Sequence, residues 1–188
     1  MREYNFFQKF KLRPLTSNDL DLLLIWRNQD QIRKYMYTDH IISEVEHHNW
    51  YKKISNDETY KGFIFEKNSQ PIGFVNVCNM SEKHKHCFWG FYVGEESIKP
   101  GMGFLMEYCA LTYMFDVLQM HKVNCEILEF NKRVKKLHER FGFEQEGYFK
   151  DFVRKEGRFI NVIRLSLLRD IWQNNKKAHQ EKIKSFLQ

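Results

Sequence analysis

The stretch GEESIKPGMGFLMEYCALTYMF, residues 94–115, places Gly101 and Gly103 directly before a long apolar segment. The chain has only nine glycines in 188 residues, so two of them separated by a single residue require an explanation. A glycine-rich loop that opens a helix offers unpaired backbone N–H groups and the positive end of the helix dipole, and an anion can approach it closely because side chains are absent. The alternative is a tight strand-to-helix turn that needs a positive φ angle. The stretch therefore predicts a helix from about Met102 to Leu118, preceded by either a phosphate site or a simple turn.

The surrounding sequence excludes the two common glycine-rich phosphate loops. There is no GxxxxGK[ST] motif, and a dinucleotide-binding fingerprint needs a third glycine and a preceding parallel βαβ unit. Three hairpin-linked strands precede the glycines instead, YKGFIFEK, PIGFVNVCNM and HKHCFWGFYVG. A second segment, NKRVKKLHERFGF, begins roughly 28 residues later, a distance that fits one helix and one strand. These two segments indicate a different kind of diphosphate site.

The predicted elements follow the order β, αα, βββ, α, β, α, ββ. FKLRPLTSNDLDLLLIWRNQ predicts a strand and then a helix capped by Thr16 or Ser17, and SEVEHHNWYKKIS predicts a second helix capped by Ser43 with Glu46. The last two strands form the hairpin GYFKDFVRKEGRFINVIRLSLL. We expect an α/β fold of the α+β type, with a single mixed, mostly antiparallel sheet of about seven strands and about four flanking helices.

Composition and charge limit the class of protein. A length of 188 residues suits one domain, which we place at residues 1–175, followed by a solvated basic tail at 176–188. The N-terminal segment lacks the apolar run of a signal peptide, and the cysteines lie apart in apolar runs, as expected of reduced thiols in a cytoplasmic protein. The net charge of +6 fits a phosphate-bearing small molecule; the sequence shows no nucleic-acid motif and no membrane-spanning segment.

The glycine loop and the later helix together resemble the GCN5-related N-acetyltransferase superfamily. Its acetyl-CoA loop has the pattern [Q/R]xxGx[G/A], and its later helix reads roughly NxxAxxLYExxGF. Here Ile98 occupies the Gln/Arg position with Lys99 beside it, Val134 replaces a small residue, and His138 stands where tyrosine is usual. The resemblance implies the fold of that family, in which a bulge splays the fourth strand from the fifth and opens a V-shaped cleft. It also implies acetyl-CoA as co-substrate without a metal, held by Tyr92, Val93, Gly94, Ile98, Lys99, Gly101, Met102, Gly103, Phe104 and Asn131.

A narrower resemblance lies in WRNQDQIRKYMYTDHIIS and EHHNW. These segments are similar to bacterial acetyltransferases that acetylate the 4-amino group of a UDP-linked dideoxy sugar on the route to pseudaminic acid; the ribosomal-protein N-terminal acetyltransferases share part of the pattern. The resemblance implies a set of substrate-binding residues, Arg27, Met36, Tyr37, His47, Trp50 and Lys83. Aromatic rings can stack on uracil and cations can bind phosphate. Core packing is the alternative for Trp50, and capping of the last helical carbonyls is the alternative for Arg27.

Two residues are candidates for proton transfer. His138 lies two helical turns after Asn131 on the same face, so it could protonate the departing thiolate in the tyrosine's place; its alternative is a surface histidine, and an imidazole of pKa near 6.5 would be protonated only in part at neutral pH. Glu126 stands in the apolar strand KVNCEIL and could accept the proton of the substrate ammonium, unless it forms a salt bridge. His84 and His86 have no adjacent third ligand, so we predict no metal.

The sequence thus predicts an acetyl-CoA-dependent N-acetyltransferase acting on UDP-4-amino-4,6-dideoxy-N-acetyl-β-L-altrosamine in pseudaminic acid biosynthesis, by direct transfer in a ternary complex. The enzyme alternatives acetylate a protein N-terminus or a polyamine, and an acidic substrate groove would favour the polyamine. A CoA-binding sensor or RNA-associated module is the non-enzyme alternative. The Phe- and Tyr-rich strands also allow pairing of two subunits as a homodimer.

Overall fold

One eight-stranded sheet organises the chain in the computed structural model, which describes residues 4–7 (backbone only), 9–95 and 101–187. Its strands are β1 Tyr4–Phe7, β2 Phe10–Pro14, β3 Lys61–Lys67, β4 Gln70–Ser81, β5 His86–Val93, β6 Lys122–Leu128, β7 Glu144–Lys155 and β8 Arg158–Leu168. The α-helices are α1 Leu20–Asn28, α2 Asp30–Arg33, α3 Glu44–Ser55, α4 Met102–Thr112, α5 Lys132–Phe141 and α6 Arg169–Leu187. The strand order is β1-β2-β3-β4-β5-β6-β8-β7, and within these residues only β5 and β6 run parallel. The predicted mixed, mostly antiparallel sheet is confirmed.

The sheet has one strand more than the sequence predicted, and the described chain has two helices more. β1 comprises only four residues, too few to show a period-2 pattern, and pairs antiparallel with β2. The α2 helix is a single turn of four residues. The sixth helix, α6, contains the segment that was predicted to be a solvated tail.

Helices cover both faces of the sheet. Along β3, Phe63 and Phe65 belong to the larger apolar cluster under α4, whereas Ile64 belongs to the smaller cluster under α1 and α2. Successive side chains of a strand point to opposite faces, so β3 is buried on both. The helix α4 is apolar nearly all round because it lies between the sheet and α6. It continues without interruption into a π-helical turn, Tyr113–Val117.

Two helix starts confirm the predicted caps. Thr16, rather than Ser17, closes the first helical turn: its backbone N–H and its hydroxyl both donate to Oδ2 of Asp19 at 2.8 Å. Ser43 accepts a hydrogen bond from the backbone N–H of Glu46 at the start of α3. Thr16 begins a 3-10 turn, Ser17–Asp19, that leads directly into α1, and Ser43 marks where α3 begins.

The strands β5 and β6 separate after a short paired segment. Their register comprises only three pairs, from His86 opposite Lys122 to Phe88 opposite Asn124. Beyond Phe88 the strands diverge. Because β1 was not predicted, β5 and β6 are the fourth and fifth predicted strands, and the predicted cleft between them is confirmed. The predicted bulge is not present at this point, because β5 pairs in unbroken register with β4 from Phe88 to Val93. The cleft therefore opens where pairing with β6 ends, and β5 itself remains regular.

The C-terminal helix α6 packs against the core. It runs from Arg169 to Leu187, so the predicted boundary at residue 175 falls inside one continuous helix. Trp172 and Ile183 are both buried within the larger apolar cluster. Residues 176–187 thus carry their basic side chains on a docked helix rather than on a free tail.

Candidate active site

A cavity of about 460 Å³ occupies the fork between β5 and β6. Trp89 to Tyr92 of β5 form one side of it, and Cys125 to Ile127 of β6 form the other. Asn131, the N-cap of α5, and His138 close one end, and Leu137 of the same helix packs near Gly103. The opposite end is lined by residues of α1, α3 and the intervening loop, namely Arg27, Tyr35, Met36, Thr38, Ile42, Glu46, His47 and Trp50. A ligand in the cavity would therefore reach both groups of predicted residues.

The two glycines at the start of α4, Gly101 and Gly103, are there for different structural reasons. Gly101 is the N-cap residue at φ +97°, a left-handed conformation that favours glycine, so the turn explains it. Gly103 lies inside the first helical turn with no such backbone requirement. A Cβ there would meet Leu137 at 3.5 Å, an ordinary contact. Local backbone geometry leaves Gly103 unexplained, whereas close approach of a ligand to the helix start would explain it.

Backbone groups rather than side chains face the predicted diphosphate position. The first intrahelical bond of α4 runs from the N–H of Leu105 to the carbonyl of Gly101, so the N–H groups before Leu105 have no acceptor within the helix. The side chain of Met102 is buried in the core, and that of Phe104 stacks on Phe141 with ring centroids 4.4 Å apart. Ile98 and Lys99, also predicted to bind here, lie outside the described residues.

The exposed edge of β5 offers a second row of backbone groups, but not at every predicted position. From Trp89 onward the edge that faces β6 has no strand partner. Gly94 was predicted among the residues that hold acetyl-CoA, yet its N–H donates to the carbonyl of Ile72 at 3.0 Å, and a Cβ there would lie 2.0 Å from Trp26. Close packing on Trp26 explains this glycine, and its N–H is already engaged. Val93 ends β5 and does not line the cavity.

His138 lines the cavity and is almost fully buried, with 2% of its surface exposed, so the surface-histidine alternative is wrong. Its Nδ1 lies 2.7 Å from Oε1 of Glu107, a buried residue of α4. Burial alone would lower the pKa of His138, but the charges and hydrogen bonds of Cys125 and Glu107 outweigh burial and raise it well above its usual value. The direction of this shift favours the protonated imidazole. Asn131 shares the same cavity face and caps α5 through the N–H of Val134.

Glu107 is the main residue that the sequence analysis missed. Burial raises the pKa of this carboxyl, and the charge and hydrogen bond of His138 act in the opposite direction. The pair titrates as a unit and holds one proton, which we assign to the imidazole. The signal was present in the sequence: Glu107 is the one charged residue in the helical segment MGFLMEYCALT. A charge inside an all-apolar helix requires a partner.

Glu126 forms the salt bridge that the sequence left as its alternative role. Its Oε1 accepts from Nε and Nη2 of Arg164 at 3.0 and 2.5 Å, and its Oε2 accepts from the hydroxyl of Tyr37 at 2.7 Å. Arg164 stands directly opposite Glu126 in the β6–β8 register, which the sequence could not specify. A carboxylate offers about four acceptor positions, so one remains for a substrate amine.

Arg27 has an unpaired buried group. Its Nη1 is buried and has no hydrogen-bond partner among the described residues, and burial lowers the pKa of the guanidinium. Its predicted alternative role, capping α1, is not observed: the bond that closes the helix runs from the backbone N–H of Gln29 to the carbonyl of Trp26. Leaving a cation desolvated without a partner is unfavourable, so the side chain is suited to an anionic ligand in the cavity.

The other predicted substrate residues have mixed outcomes. Met36 and Trp50 line the cavity, and Trp50 also packs on His47 with ring centroids 5.1 Å apart. His47 lines the cavity too, but one ring nitrogen, Nε2, is bonded to the carbonyl of Leu20, and burial lowers the pKa of the imidazole. It is therefore neutral at pH 7 and cannot bind phosphate as a cation. Lys83 lies in the exposed β4–β5 turn and does not line the cavity.

Other chemistry is limited in the described part of the chain. Searching those residues finds no group of three His, Cys, Asp or Glu side chains placed to hold a metal. The four cysteines are free, and three of them are buried. Within residues 4–7, 9–95 and 101–187, none of the helices combines the length and the apolar character that crossing a bilayer requires.

Comparison with known proteins gives matches along most of the chain. Residues 9–144 match the model of the family described as "Acetyltransferase (GNAT) domain". The acetyltransferase PseH of Campylobacter jejuni is 28% identical over 138 residues, which are 73% of this chain and 85% of that protein. The spermidine N(1)-acetyltransferase of Escherichia coli is 23% identical over 157 residues, 84% of each chain. The crystal structure of the Vibrio cholerae spermidine N-acetyltransferase in complex with CoA and spermine superposes with a TM-score of 0.82 at 23% identity, covering 89% of this chain and 99% of that one.

Proposed function

The chain belongs to the acetyltransferase (GNAT) family and is an acetyl-CoA-dependent N-acetyltransferase, and from this premise we propose that it acetylates an amino-sugar nucleotide. The acceptor that we propose is the 4-amino group of UDP-4-amino-4,6-dideoxy-N-acetyl-β-L-altrosamine, an intermediate on the route to pseudaminic acid. The resemblance in WRNQDQIRKYMYTDHIIS supports this acceptor, and so does the charge arrangement in the cavity.

The observation that carries the proposal is Nη1 of Arg27, which is buried and has no hydrogen-bond partner among the described residues. Both carboxylates that line the same cavity are already engaged, Glu126 by Arg164 and Tyr37, and Glu46 by Nε2 of His40 at 2.9 Å. The cavity therefore has a buried guanidinium nitrogen without a hydrogen-bond partner, on a cation that the charge of Glu46 reaches without bonding that nitrogen. An acceptor that carries a diphosphate supplies the missing anion, and guanidinium binds phosphate through two parallel hydrogen bonds.

The residues present fit acetyl-CoA. The unpaired amides at the start of α4 are suited to its diphosphate, and the β6-facing edge of β5 from Trp89 onward is suited to its extended arm. When bound, acetyl-CoA supplies the acetyl thioester. Gly103 would let the diphosphate approach the backbone of the first helical turn. The uracil of the acceptor would lie on the other side of the fork, against Trp50, which lines the cavity, and near Tyr37, which does not line it but reaches Glu126 through its hydroxyl.

The proposed chemistry is direct transfer, with two groups of the chain handling protons. Glu126 accepts a proton from the substrate ammonium, directly or through a water, while Arg164 and Tyr37 hold its carboxylate in place. Backbone N–H groups of β5 stabilise the developing oxyanion. His138, whose pKa is raised beside Glu107, gives its proton to the departing thiolate, and the attacking nitrogen releases its second proton to water as the amide forms.

The test is a competition among acceptors. Purified protein with acetyl-CoA is incubated separately with the UDP-amino sugar, with spermidine and with a Ser- or Ala-initiated peptide, and free thiol release is followed. Acetylation of the sugar alone supports the proposal. Acetylation of spermidine or of the peptide in preference to the sugar contradicts it.

A polyamine acetyltransferase is the second candidate. It is favoured by the similarity to spermidine acetyltransferases, which is comparable to the similarity to PseH. A polyamine is a polycation and would need free carboxylates in the cavity, where the described residues offer an unpaired arginine. The same acceptor panel decides between the two candidates.

A further inference from the structure

The loop between α2 and α3 forms one wall of the cavity. Tyr35, Met36, Thr38 and Ile42 of this loop, residues 34–43, line the space. Its far end is fixed by Asn28, whose side chain accepts from the N–H of Ile42 and donates to the carbonyl of the same residue, both at 2.9 Å. The shape of the middle of the loop must be set by other contacts.

Lys155, at the end of β7, holds the middle of this loop. Its Nζ donates to the carbonyls of Arg33 and Met36 at 3.1 Å each, with a longer contact of 3.5 Å to the carbonyl of Thr38. Only 6% of its surface is exposed, which is unusual for lysine. The loop thus curves around an ammonium group that comes from more than a hundred residues away in the chain.

A second contact from the same hairpin reinforces the first. The backbone N–H of Glu156 donates to Oδ2 of Asp39 at 2.9 Å, and Nη1 of Arg33 donates to the carbonyl of Asp39 at 2.6 Å. Lys155 and Glu156 lie at the turn of the β7–β8 hairpin, and together they hydrogen-bond residues 33–39 of the loop. We call this pair of contacts the hairpin latch.

The hairpin does not need the latch for its own folding. Its turn is supplied by Glu156 and Gly157, both at positive φ, and Lys155 already pairs with Arg158 along the backbone. Burying an ammonium is unfavourable unless several acceptors surround it, and carbonyls of the cavity loop provide them. The arrangement therefore serves the loop rather than the hairpin.

We propose that Lys155 is a positioning residue for the acceptor: by gathering carbonyls of residues 33–38 it fixes the wall that contacts the acceptor, and it sets acceptor affinity from outside the cavity. This inference rests on the proposed function, in which that end of the cavity binds the acceptor. The same curvature places the hydroxyl of Tyr37 on Glu126, so the latch also aligns the proposed proton acceptor.

The first test replaces Lys155 by methionine, with Arg154→Met on the same strand as the exposed control. We expect the KM for the acceptor to rise about tenfold or more, while the KM for acetyl-CoA changes by less than about twofold. Backbone amides of residues 34–39 should exchange hydrogen faster in Lys155→Met, and Lys155→Arg, which retains a charged donor, should restore much of the protection.

A second variant, Asp39→Ala, tests the proposal if the Lys155→Met protein does not fold. Asp39→Ala removes the contact with Glu156 but leaves no buried cation without acceptors, and it should raise the acceptor KM and the exchange of 34–39 in the same direction by a smaller amount. Unchanged exchange of 34–39 and an unchanged acceptor KM would overturn the latch. Hydrogen exchange is measured without an acceptor, so it does not depend on the proposed function. If the protein acetylates none of the three amines, the proposed function fails, and the hydrogen exchange of residues 34–39 alone decides whether the latch exists.

Discussion

Nδ1 of His138 and Oε1 of Glu107 lie 2.7 Å apart, joining helices α5 and α4 through two buried side chains that are 31 residues apart in sequence. This pair bears on whether a histidine can act as the general acid at neutral pH. A free imidazole is half deprotonated near pH 6.5, whereas the pKa of His138 is raised by charge interactions and hydrogen bonds that outweigh its burial. A histidine can therefore stand where the family usually has tyrosine and still be a proton donor at neutral pH.

Glu107→Gln should shift the pH profile of turnover. The acid form of His138 is present below its raised pKa and is lost as pH rises through it, so wild-type kcat falls only at high pH. Without the carboxylate the pKa of His138 falls, the basic limb of the profile moves to lower pH, and kcat at neutral pH drops about tenfold or more. The measurement is kcat from pH 6 to 10, with the exposed Glu139→Gln as control. An unmoved basic limb would remove the proton-holding role of Glu107.

His138→Phe should lose both activity and stability, but for separable reasons. Turnover should fall by about 10² or more because the acid is absent. Stability should fall by about 3–5 kcal/mol because Glu107 is left buried and unpaired. The double variant Glu107→Leu/His138→Phe should regain most of the free energy of unfolding in urea without regaining turnover. Wild-type turnover in the single variant would contradict the acid role.

Arg27→Met should weaken acceptor binding without weakening the fold. The unpaired guanidinium contributes nothing to stability in the absence of an anion, so the free energy of unfolding should stay equal or rise by up to about 1 kcal/mol. The KM for the UDP-amino sugar should rise about tenfold or more, as expected when a charged hydrogen-bond donor is lost. Steady-state kinetics and urea denaturation measure the two effects. A destabilised variant with an unchanged KM would assign Arg27 to the fold.

Glu126→Gln should lower turnover by about 10² or more if this carboxylate accepts the proton of the amine. Tyr37→Phe keeps the carboxylate and removes one of its hydrogen bonds, so its effect should be less than about tenfold. Comparing kcat for the two variants separates loss of the base from loss of its orientation. Equal, small effects in both would leave Glu126 with the salt bridge to Arg164 as its only role.

Gly103→Ala and Gly101→Ala should differ in stability while both impair the co-substrate site. An alanine at 101 must adopt φ +97° and meets Phe186 at 2.7 Å, so it should destabilise by about 1–2 kcal/mol or more. An alanine at 103 meets ordinary contacts within a helix and should be neutral or stabilising by up to about 1 kcal/mol. The KM for acetyl-CoA should nevertheless rise in Gly103→Ala. A normal KM in that variant would show that Gly103 is not needed for close approach of the diphosphate.

Much of the architecture could be predicted because the signals are local. Periodicity identified the strands β2 to β8, the two glycines marked the start of α4, and Ser43 marked the start of α3. The predicted sharing of one face by Asn131 and His138 followed from helical spacing alone, and both residues line the cavity. The strand β1 was missed because four residues are too few to show a periodic pattern. The domain boundary was placed at residue 175, inside α6, because the many basic residues of this helix obscure its two buried positions, Trp172 and Ile183.

The site itself was predictable only in part, because its charged groups are defined by partners that are distant in sequence. Arg164 meets Glu126 through strand register, and Lys155 reaches the loop around Met36 through the turn of a hairpin. His47 and Gly94 were assigned by resemblance to ligand contacts, whereas packing gave His47 a carbonyl partner and pressed Gly94 onto Trp26.

The sequence alone determined the order of elements, the glycine loop and the family, since these depend on spacing and on residue types within short segments. Only the tertiary structure decided which ionisable groups are paired, in which direction the pKa of His138 shifts, and that Nη1 of Arg27 is buried without a hydrogen-bond partner among the described residues. The physical reason is that pairing and burial depend on distances of a few ångströms between segments that the chain brings together only on folding, and the strength of every charge interaction depends on those distances and on the exclusion of water.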